Sequence, residues 1–258
     1  MYTVKIKKVI NETKNIKTFR LDLDLPTLPG QYVMLWVPGY DEKPLSVSYP
    51  GRNMGITVLK KGVTTTHLHD MKAGDIVGVR GPFGRAFKIS GKELIAVGGG
   101  VGMAPIAPLA ERAIEQGKEI TVIVGAVTKS ELLFVDRLEK AGAKIIITTD
   151  DGTCGKKCFT TNALEEELGN GKYDECFTCG PEIMMVKVLE IGKRHDLPTQ
   201  VSMERYFKCG IGICGHCVMD DGGLRVCKEG PNFRDVEVEK FKDFGRYTRD
   251  ASGKKIYW

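Results

Sequence analysis

Three cysteines fall within nine residues near the C-terminus, Cys209, Cys214 and Cys217, and a fourth, Cys227, follows after nine intervening residues. Gly210, Gly212 and Gly215 separate the first three. Thiolates are soft metal ligands. Glycine lets a loop turn through positive φ and aim its N–H groups at nearby sulfurs. The order C-x4-C-x2-C…C is that of the plant-type [2Fe–2S] centre, which moves one electron at a time. A zinc ion held by four cysteines is the competing chemistry, although zinc sites favour two C-x2-C pairs over a C-x4-C step. Four plain buried thiols are the third reading. The chain has eight cysteines. Cys154, Cys158, Cys176 and Cys179, spaced C-x3-C and C-x2-C, offer either a second metal site or ordinary small buried side chains.

Other stretches suit a nucleotide rather than a metal. Lys43-Pro44-Leu45-Ser46 joins a cation and a hydroxyl on a backbone that Pro44 keeps extended, fit to lie along a flat ring and a phosphate. A plain edge strand is the alternative. Thr57-Val58-Leu59 runs through Lys60-Lys61-Gly62 into Thr64 and Thr65, where hydroxyls and free amides at a helix start would suit a pyrophosphate; an N-cap without a ligand reads the same way. Gly98, Gly99, Gly100 and Gly102 lie directly between an apolar strand and a helix, the context in which a glycine run lets phosphate approach the helix start. A sharp turn with no ligand is the alternative. Asp150 and Asp151 would accept ribose hydroxyls, or simply form a turn. Cys179-Gly180-Pro181 leaves room for a flat ring, or merely ends a strand.

The elements that must hold these residues change character near residue 90. Short β-rich runs at Tyr2–Ile10, Ile16–Leu25, Tyr32–Val37 and Gly55–Leu59, divided by Pro and Gly, predict a small antiparallel barrel over 1–89. Residues 90–199 alternate strands (Glu93–Val97, Ile120–Val124, Lys144–Thr148, Glu175–Cys179) with helices (Ala104–Gln116, Ser130–Lys140, Thr161–Leu168, Glu182–Arg194). That rhythm predicts a parallel sheet covered on both faces. Residues 200–258 read as a cluster module and a polar, charged tail. The expectation is a multi-domain β and α/β protein.

A net charge of +5 from scattered lysines, with no basic block, argues against nucleic acid as the main partner. The longest uncharged run, Leu94–Ala110, is broken by four glycines and two prolines, so no membrane span is expected. Met1–Glu12 reads as a strand and not as a signal peptide, and the cysteines then point to a reducing cytoplasm.

The order barrel with K-P-L-S, then G-G-G-V-G-M-A-P, then C-G-P, then the cysteine loop resembles the ferredoxin–NADP reductase superfamily. Ser202–Lys208 before the loop and Arg225–Pro231 after it resemble, within that superfamily, the electron-transfer subunits of dihydroorotate dehydrogenase B. The resemblance implies FAD in the barrel at Lys43–Ser46, Thr57–Leu59 and Thr64-Thr65, and NAD at the sheet edge. It also implies one [2Fe–2S] cluster on Cys209, Cys214, Cys217 and Cys227. Lys43 stands where Arg is usual, so a bidentate contact becomes a point charge, and Thr64 stands where Gly is usual. A partner is implied as well, an FMN-containing dihydroorotate dehydrogenase catalytic subunit in a heterotetramer of two of each chain. Electrons would pass from its FMN through the cluster and FAD to NAD+, in pyrimidine biosynthesis. The rivals are the equivalent subunit of an NADH-dependent ferredoxin–NADP oxidoreductase or a cytoplasmic hydrogenase, and a non-catalytic zinc-stabilised binding module. If the loop is an electron port, Tyr206, Phe207, Ile211 and His216 are the expected subunit contacts.

Overall fold

In a computed structural model describing residues 1–258, the N-terminal segment closes into a six-stranded antiparallel barrel. Its strands are β1 (Tyr2–Asn11), β2 (Ile16–Leu21), β3 (Tyr32–Trp36), β4 (Glu42–Tyr49), β5 (Gly55–Leu59) and β6 (Ile76–Phe83), with helix α1 (Val63–Asp70) between the last two. The strand order is β1-β2-β5-β4-β3-β6, and β6 pairs back onto β1 from Val79–Tyr2 to Ile76–Lys5. Closure leaves no free edge. Inward-facing residues such as Ile6, Phe19, Val33, Leu35, Ile56, Val58 and Val79 fill the interior.

β3 buries both of its faces. Val33 and Leu35 point into the barrel, whereas Tyr32 and Met34 point outward into a second core shared with the C-terminal segment. A strand alternates its side chains, so four consecutive buried residues mean that something covers the outer wall. The cover is the cysteine loop.

The next elements are β7 (Glu93–Gly99), α2 (Met103–Glu115), β8 (Glu119–Ala126), α3 (Val135–Ala141), β9 (Lys144–Thr149), α4 (Thr160–Asn170), β10 (Glu175–Cys179), α5 (Glu182–Arg194) and β11 (Thr199–Ser202). The parallel sheet runs β11-β10-β7-β8-β9. Leu94 and Ala96 of β7 face α2 and α3, and Ile95 and Val97 face α4 and α5. The core between β7 and helices α2 and α3 continues to the barrel through Ile16 and Phe87, so the two units share an apolar seam.

β12 (Asn232–Arg234) adds an antiparallel edge to this sheet beside β11. It comes from the segment after the cysteines. The expected division between residues 199 and 200 falls inside β11, and the cluster segment is built onto the sheet rather than appended to it. A helical turn α6 (Asp235–Val238) and a hairpin of β13 (Tyr247–Arg249) and β14 (Lys255–Tyr257) complete the chain. The tail, read as polar, is anchored by buried Phe241 and Tyr247. No helix is long and apolar enough to cross a membrane.

Candidate functional site

The cysteine loop is shaped by glycines at positive φ: Gly210 (+71°), Gly212 (+80°) and Gly215 (+72°). A Cβ at Gly210 would lie 2.8 Å from Met34 Cγ, and one at Gly212 would lie 2.7 Å from Lys228 Cδ. The turns direct backbone amides at sulfur. Ile213 N and Cys214 N lie 3.4 and 3.5 Å from Cys209 Sγ. Burial opposes ionisation of Cys209, yet the N–H groups of Cys214, Ile211 and Ile213 outweigh it and bring the thiol down to about 6. The Cys227 thiol bonds Cys217, and with the Cys227 N–H at 3.4 Å it brings Cys217 down to about 7. The same bond pushes Cys227 up.

Cys214 N–H on the Cys209 sulfur and Cys227 N–H on the Cys217 sulfur group the four residues as two pairs, Cys209 with Cys214 and Cys217 with Cys227. No three His, Cys, Asp or Glu side chains converge on a point that would hold a single ion. One zinc needs four sulfurs around one centre. A two-iron cluster needs two thiolates at each end, among hydrogen-bond donors to sulfur. The residues present fit the cluster better than the ion.

The barrel wall carries this loop. The Tyr32 hydroxyl lies 2.8 Å from the Gly210 carbonyl oxygen and 2.9 Å from that of Cys227. Arg80 of β6 donates Nε and Nη2 to Glu42 of β4 at 2.8 and 2.6 Å, and Nη2 also reaches the Cys209 carbonyl at 3.1 Å.

The flavin candidates lie on the adjoining strands. In the β3–β4 ladder Tyr32 is opposite Ser46 and Met34 opposite Pro44. Directly opposed residues share a face. Pro44 and Ser46 therefore occupy the outer face of the wall that Tyr32 and Met34 present to the loop, and Leu45 packs inward. β4 pairs with β5 at Val47–Ile56 and Tyr49–Gly55, and the chain then runs through Leu59 and Lys60 to the start of α1. Residues 42–46 pair with β3, lie beyond the β5 ladder and stay half-buried, which leaves an uncovered strip for a flat ring. The first turn of α1 carries no acidic residue, and Lys60 and Lys61 precede it, which suits an anion. These features fit FAD.

Several side chains expected there are otherwise engaged. Thr57 is buried and its hydroxyl lies 2.8 Å from both Thr18 Oγ1 and Ser48 Oγ. Val58 fills the barrel core, and Leu59 packs at the seam. The Thr65 hydroxyl accepts from Lys61 N and Gly62 N at 3.0 Å, so Thr64 and Thr65 offer backbone amides before side chains. Lys43 Nζ is 2.5 Å from Asp41 and 5.5 Å from the Tyr206 ring centroid.

At the sheet, β8 and β9 extend to one side of β7 and β10 and β11 to the other. The topological switch point therefore lies between the carboxyl ends of β7 and β10, where open sheets bind nucleotides. The Gly98–Gly102 turn and Cys179-Gly180-Pro181 meet there: a Cβ on Gly102 would lie 2.3 Å from the Cys179 carbonyl oxygen, and one on Gly99 3.0 Å from Pro181 Cδ. A Cβ on Gly98 would lie 2.0 Å from Met103 Sδ. Three of these glycines thus serve internal packing. Gly100, at φ +53° and facing open space, is the one free for a ligand. β5 touches this turn, which brings the flavin stretch beside it. Asp150 and Asp151 follow β9, two strands away. Asp151 accepts from Thr153 N and Oγ1 at 2.9 and 2.7 Å, as a turn residue does.

Of the expected subunit contacts, Ile211 is exposed, but Phe207 is buried with its ring 5.1 Å from that of Tyr32. Phe207 is a core residue. Tyr206 and His216 are half-buried and pack edge-to-face, and His216 Nε2 lies 2.9 Å from the Asp250 carbonyl. Ile213, at 80% exposure, is the loop's most exposed apolar residue and was missed. Its signal was position: it precedes Cys214 at the tip of the C-x4-C step.

Comparison with known proteins agrees with this geometry. Residues 3–87 match an oxidoreductase FAD-binding domain, 96–190 an oxidoreductase NAD-binding domain, and 204–239 the iron–sulfur cluster binding domain of dihydroorotate dehydrogenase B. The chain is 52% identical over 254 residues to the probable dihydroorotate dehydrogenase B (NAD(+)) electron transfer subunit of Methanocaldococcus jannaschii, covering 98% of this chain and 97% of that one. It is 45% identical to the subunit of that name in Methanothermobacter thermautotrophicus, covering 99% and 97%. A chain from the structure of an NADH-dependent reduced ferredoxin–NADP oxidoreductase superposes with a TM-score of 0.84 at 29% identity, covering 95% of this chain and 91% of that one. The Amycolatopsis cytochrome P450 reductase GcoB, at 23% identity and a TM-score of 0.66 over 75% and 65% of the two chains, shares the fold. An FAD-binding barrel, an NAD-binding sheet and an iron–sulfur segment thus occur in one oxidoreductase chain, which belongs to the family of dihydroorotate dehydrogenase B electron-transfer subunits.

Proposed function

We propose that this chain carries electrons from a dihydroorotate-oxidising catalytic subunit, by way of a [2Fe–2S] cluster and FAD, to NAD+. The observation that carries the reading is the β3–β4 ladder. Outward-facing Tyr32 and Met34 carry the cysteine loop, and their partners Ser46 and Pro44 carry the flavin stretch. One rigid wall thereby sets the separation of the two sites, and β5 hands the other side of the flavin stretch to the Gly100–Gly102 turn. A flavin exchanges two electrons with nicotinamide and one with an iron–sulfur cluster. The chain's own residues position these groups and exclude water between them.

The partner is an FMN-bearing subunit, in a heterotetramer of two of each chain, in the cytoplasm, where the eight cysteines, none in a disulfide, stay reduced. Its docking side is the cysteine loop, where Ile211 and Ile213 are exposed beside a cleft of about 340 Å³ lined by Phe83, Arg85, Ile211 and Cys227. The flavin is placed at Lys43, Pro44, Leu45, Ser46, Thr57, Val58, Leu59, Thr64 and Thr65. The nicotinamide nucleotide is placed at Gly98, Gly99, Gly100, Gly102, Asp150, Asp151, Cys179, Gly180 and Pro181. Full-length identities of 52% and 45% support this reading over that of a ferredoxin–NADP oxidoreductase subunit, matched at 29%.

The test is co-purification with the catalytic subunit and an assay with dihydroorotate and NAD+, beside the visible spectrum. A flavin and iron–sulfur spectrum with dihydroorotate-dependent NADH formation is expected. A colourless zinc protein, or a coloured one that reduces NAD+ only from another donor, would defeat the proposal.

A further inference from the structure

Tyr32 holds a position that flavin, nucleotide and cysteine motifs do not account for. Its side chain is enclosed, at 2% exposure, with Phe207 and Phe83 rings 5.1 and 5.9 Å from its own. The packing leaves its hydroxyl two acceptors, the carbonyls of Gly210 and Cys227. Those carbonyls belong to the two arms of the loop. Gly210 follows Cys209 of one thiol pair, and Cys227 belongs to the other. On these arms Ile213 N and Cys214 N lie 3.4 and 3.5 Å from Cys209 Sγ, and Cys227 N lies 3.4 Å from Cys217 Sγ. A buried hydroxyl bonded to the carbonyls of both arms holds these donors at their sulfurs, and linked hydrogen bonds in a buried network strengthen one another. Hydrogen bonds to the sulfurs are among the determinants of an iron–sulfur potential, because they favour the reduced and more negative state.

We propose that Tyr32 is a positioning residue of the cluster site. Its hydroxyl ties the two arms of the cysteine loop to the flavin-bearing wall, holds the amide donors of Ile213, Cys214 and Cys227 at the sulfurs, and so raises the potential of the cluster. The inference rests on the iron–sulfur reading above. Tyr32 reaches the cluster only through the backbone, so its effect is on the potential and not on a reacting atom.

The experiment is an EPR-monitored potentiometric titration of the purified chain with its cofactors. In Tyr32→Phe the ring and its packing remain and the donor is lost. The cluster potential is expected to move negative, shifting the sharing of an electron between cluster and FAD toward FAD by threefold or more; a tenfold shift is about 59 mV for one electron. Reduction of FAD by NADH keeps its rate. A second sample replaces Tyr32 with 3-fluorotyrosine, a stronger donor of nearly the same shape, and the potential is expected to move positive. That arm decides the matter if Tyr32→Phe retains FAD but loses iron. A cluster present at unchanged potential with fluorotyrosine overturns the role of Tyr32 and leaves the electron-transfer reading intact. A preparation with no iron–sulfur signal in the parent protein overturns that reading, and this inference with it.

Discussion

Two groups of four cysteines lie in this chain, and both contain a C-x2-C step. At Cys214–Cys217 the step lies on a loop with Gly215 at φ +72°. At Cys176–Cys179 it lies on β10, where residues three apart face opposite sides. Cys176 accordingly packs in the core beneath α4 and α5, and Cys179 packs toward α2. The two cannot bind one metal without destroying the strand. Environment separates the groups further. Amides bring Cys209 down to about 6, whereas burial pushes Cys176 and Cys179 up to about 12. Spacing suggests a ligand set, and the backbone under it decides whether the set exists.

The comparison breaks most sharply at Cys227. In Cys227→Ser, iron and iron–sulfur absorbance should be lost or become labile, and transfer from the partner should fail. FAD should remain, because the bond from Tyr32 to the Cys227 carbonyl does not use the thiol, and NADH should still reduce it. Full iron content in this variant would show that the fourth ligand lies elsewhere.

The loop glycines give the next largest effect. Gly212→Ala places a Cβ at φ +80° and 2.7 Å from Lys228 Cδ. Left-handed backbone alone costs about 1–2 kcal/mol for a residue with a Cβ. Gly223, at φ +61° in open space within the same module, would suffer only that strain. Iron retention during dialysis against a chelator should fall clearly in Gly212→Ala and less in Gly223→Ala. Equal retention in the two would mean that the approach to Lys228 is irrelevant.

The strand thiols should show themselves through pH. A thiol that stays protonated in the folded chain but ionises near pH 8.5 once unfolded favours the unfolded state as pH rises. Burial has raised Cys176 to about 12, so its contribution is intact below about pH 8.5 and declines from there toward pH 12. The loss is about 1.4 kcal/mol per pH unit at most. Urea midpoints at pH 7.5 and 10 should converge more in Cys176→Ala than in the parent. Identical pH dependence in the two proteins would contradict the burial of this thiol.

Much of the scaffold was legible because local chemistry and tertiary demand agreed. The expected bounds of Gly55–Leu59, Glu175–Cys179 and Glu182–Arg194 coincide with β5, β10 and α5. The helix expected over Ser130–Lys140 begins only at Val135. Leu132 is extended and Phe134 sits at φ +61°, which carries the Phe134 ring to within 6.0 Å of Tyr49 on the barrel. That seam is a long-range demand invisible to helical periodicity. The tail was misread for a similar reason. Its three anchors, Phe241, Asp243 and Tyr247, are buried only because other segments receive them. Asp243 lies 3.7 Å from Arg205, itself bonded to Glu182 at the start of α5, and the Tyr247 hydroxyl bonds Asp220. The cluster ligands were readable from spacing because a loop carries its own geometry in its glycines. The flavin and nucleotide residues were readable as stretches, but which atoms stay free depended on partners such as Thr18, Asp41 and Met103.

The smallest effect is expected where sequence alone offered a second metal site. Cys154 and Cys158 are half-buried on the loop between β9 and α4. That loop is set by its backbone: the Thr149 hydroxyl bonds the Cys154 carbonyl at 2.7 Å and accepts from Cys154 N at 3.1 Å, and Lys156 N bonds the Ile147 carbonyl at 2.9 Å. A serine at 154 or 158 leaves each of these bonds in place, since none uses a thiol. Their would-be partners Cys176 and Cys179 lie on opposite sides of the sheet, so no third and fourth ligand exist to be lost. The double variant Cys154→Ser/Cys158→Ser should therefore keep its iron, zinc and flavin content, with unfolding free energy within about 1 kcal/mol of the parent, most of it from Cys158, which packs at the margin of the core under α4. Metal analysis of the two proteins checks this. A parent that binds one equivalent more metal than the double variant would restore the second site and require β10 to open to form it.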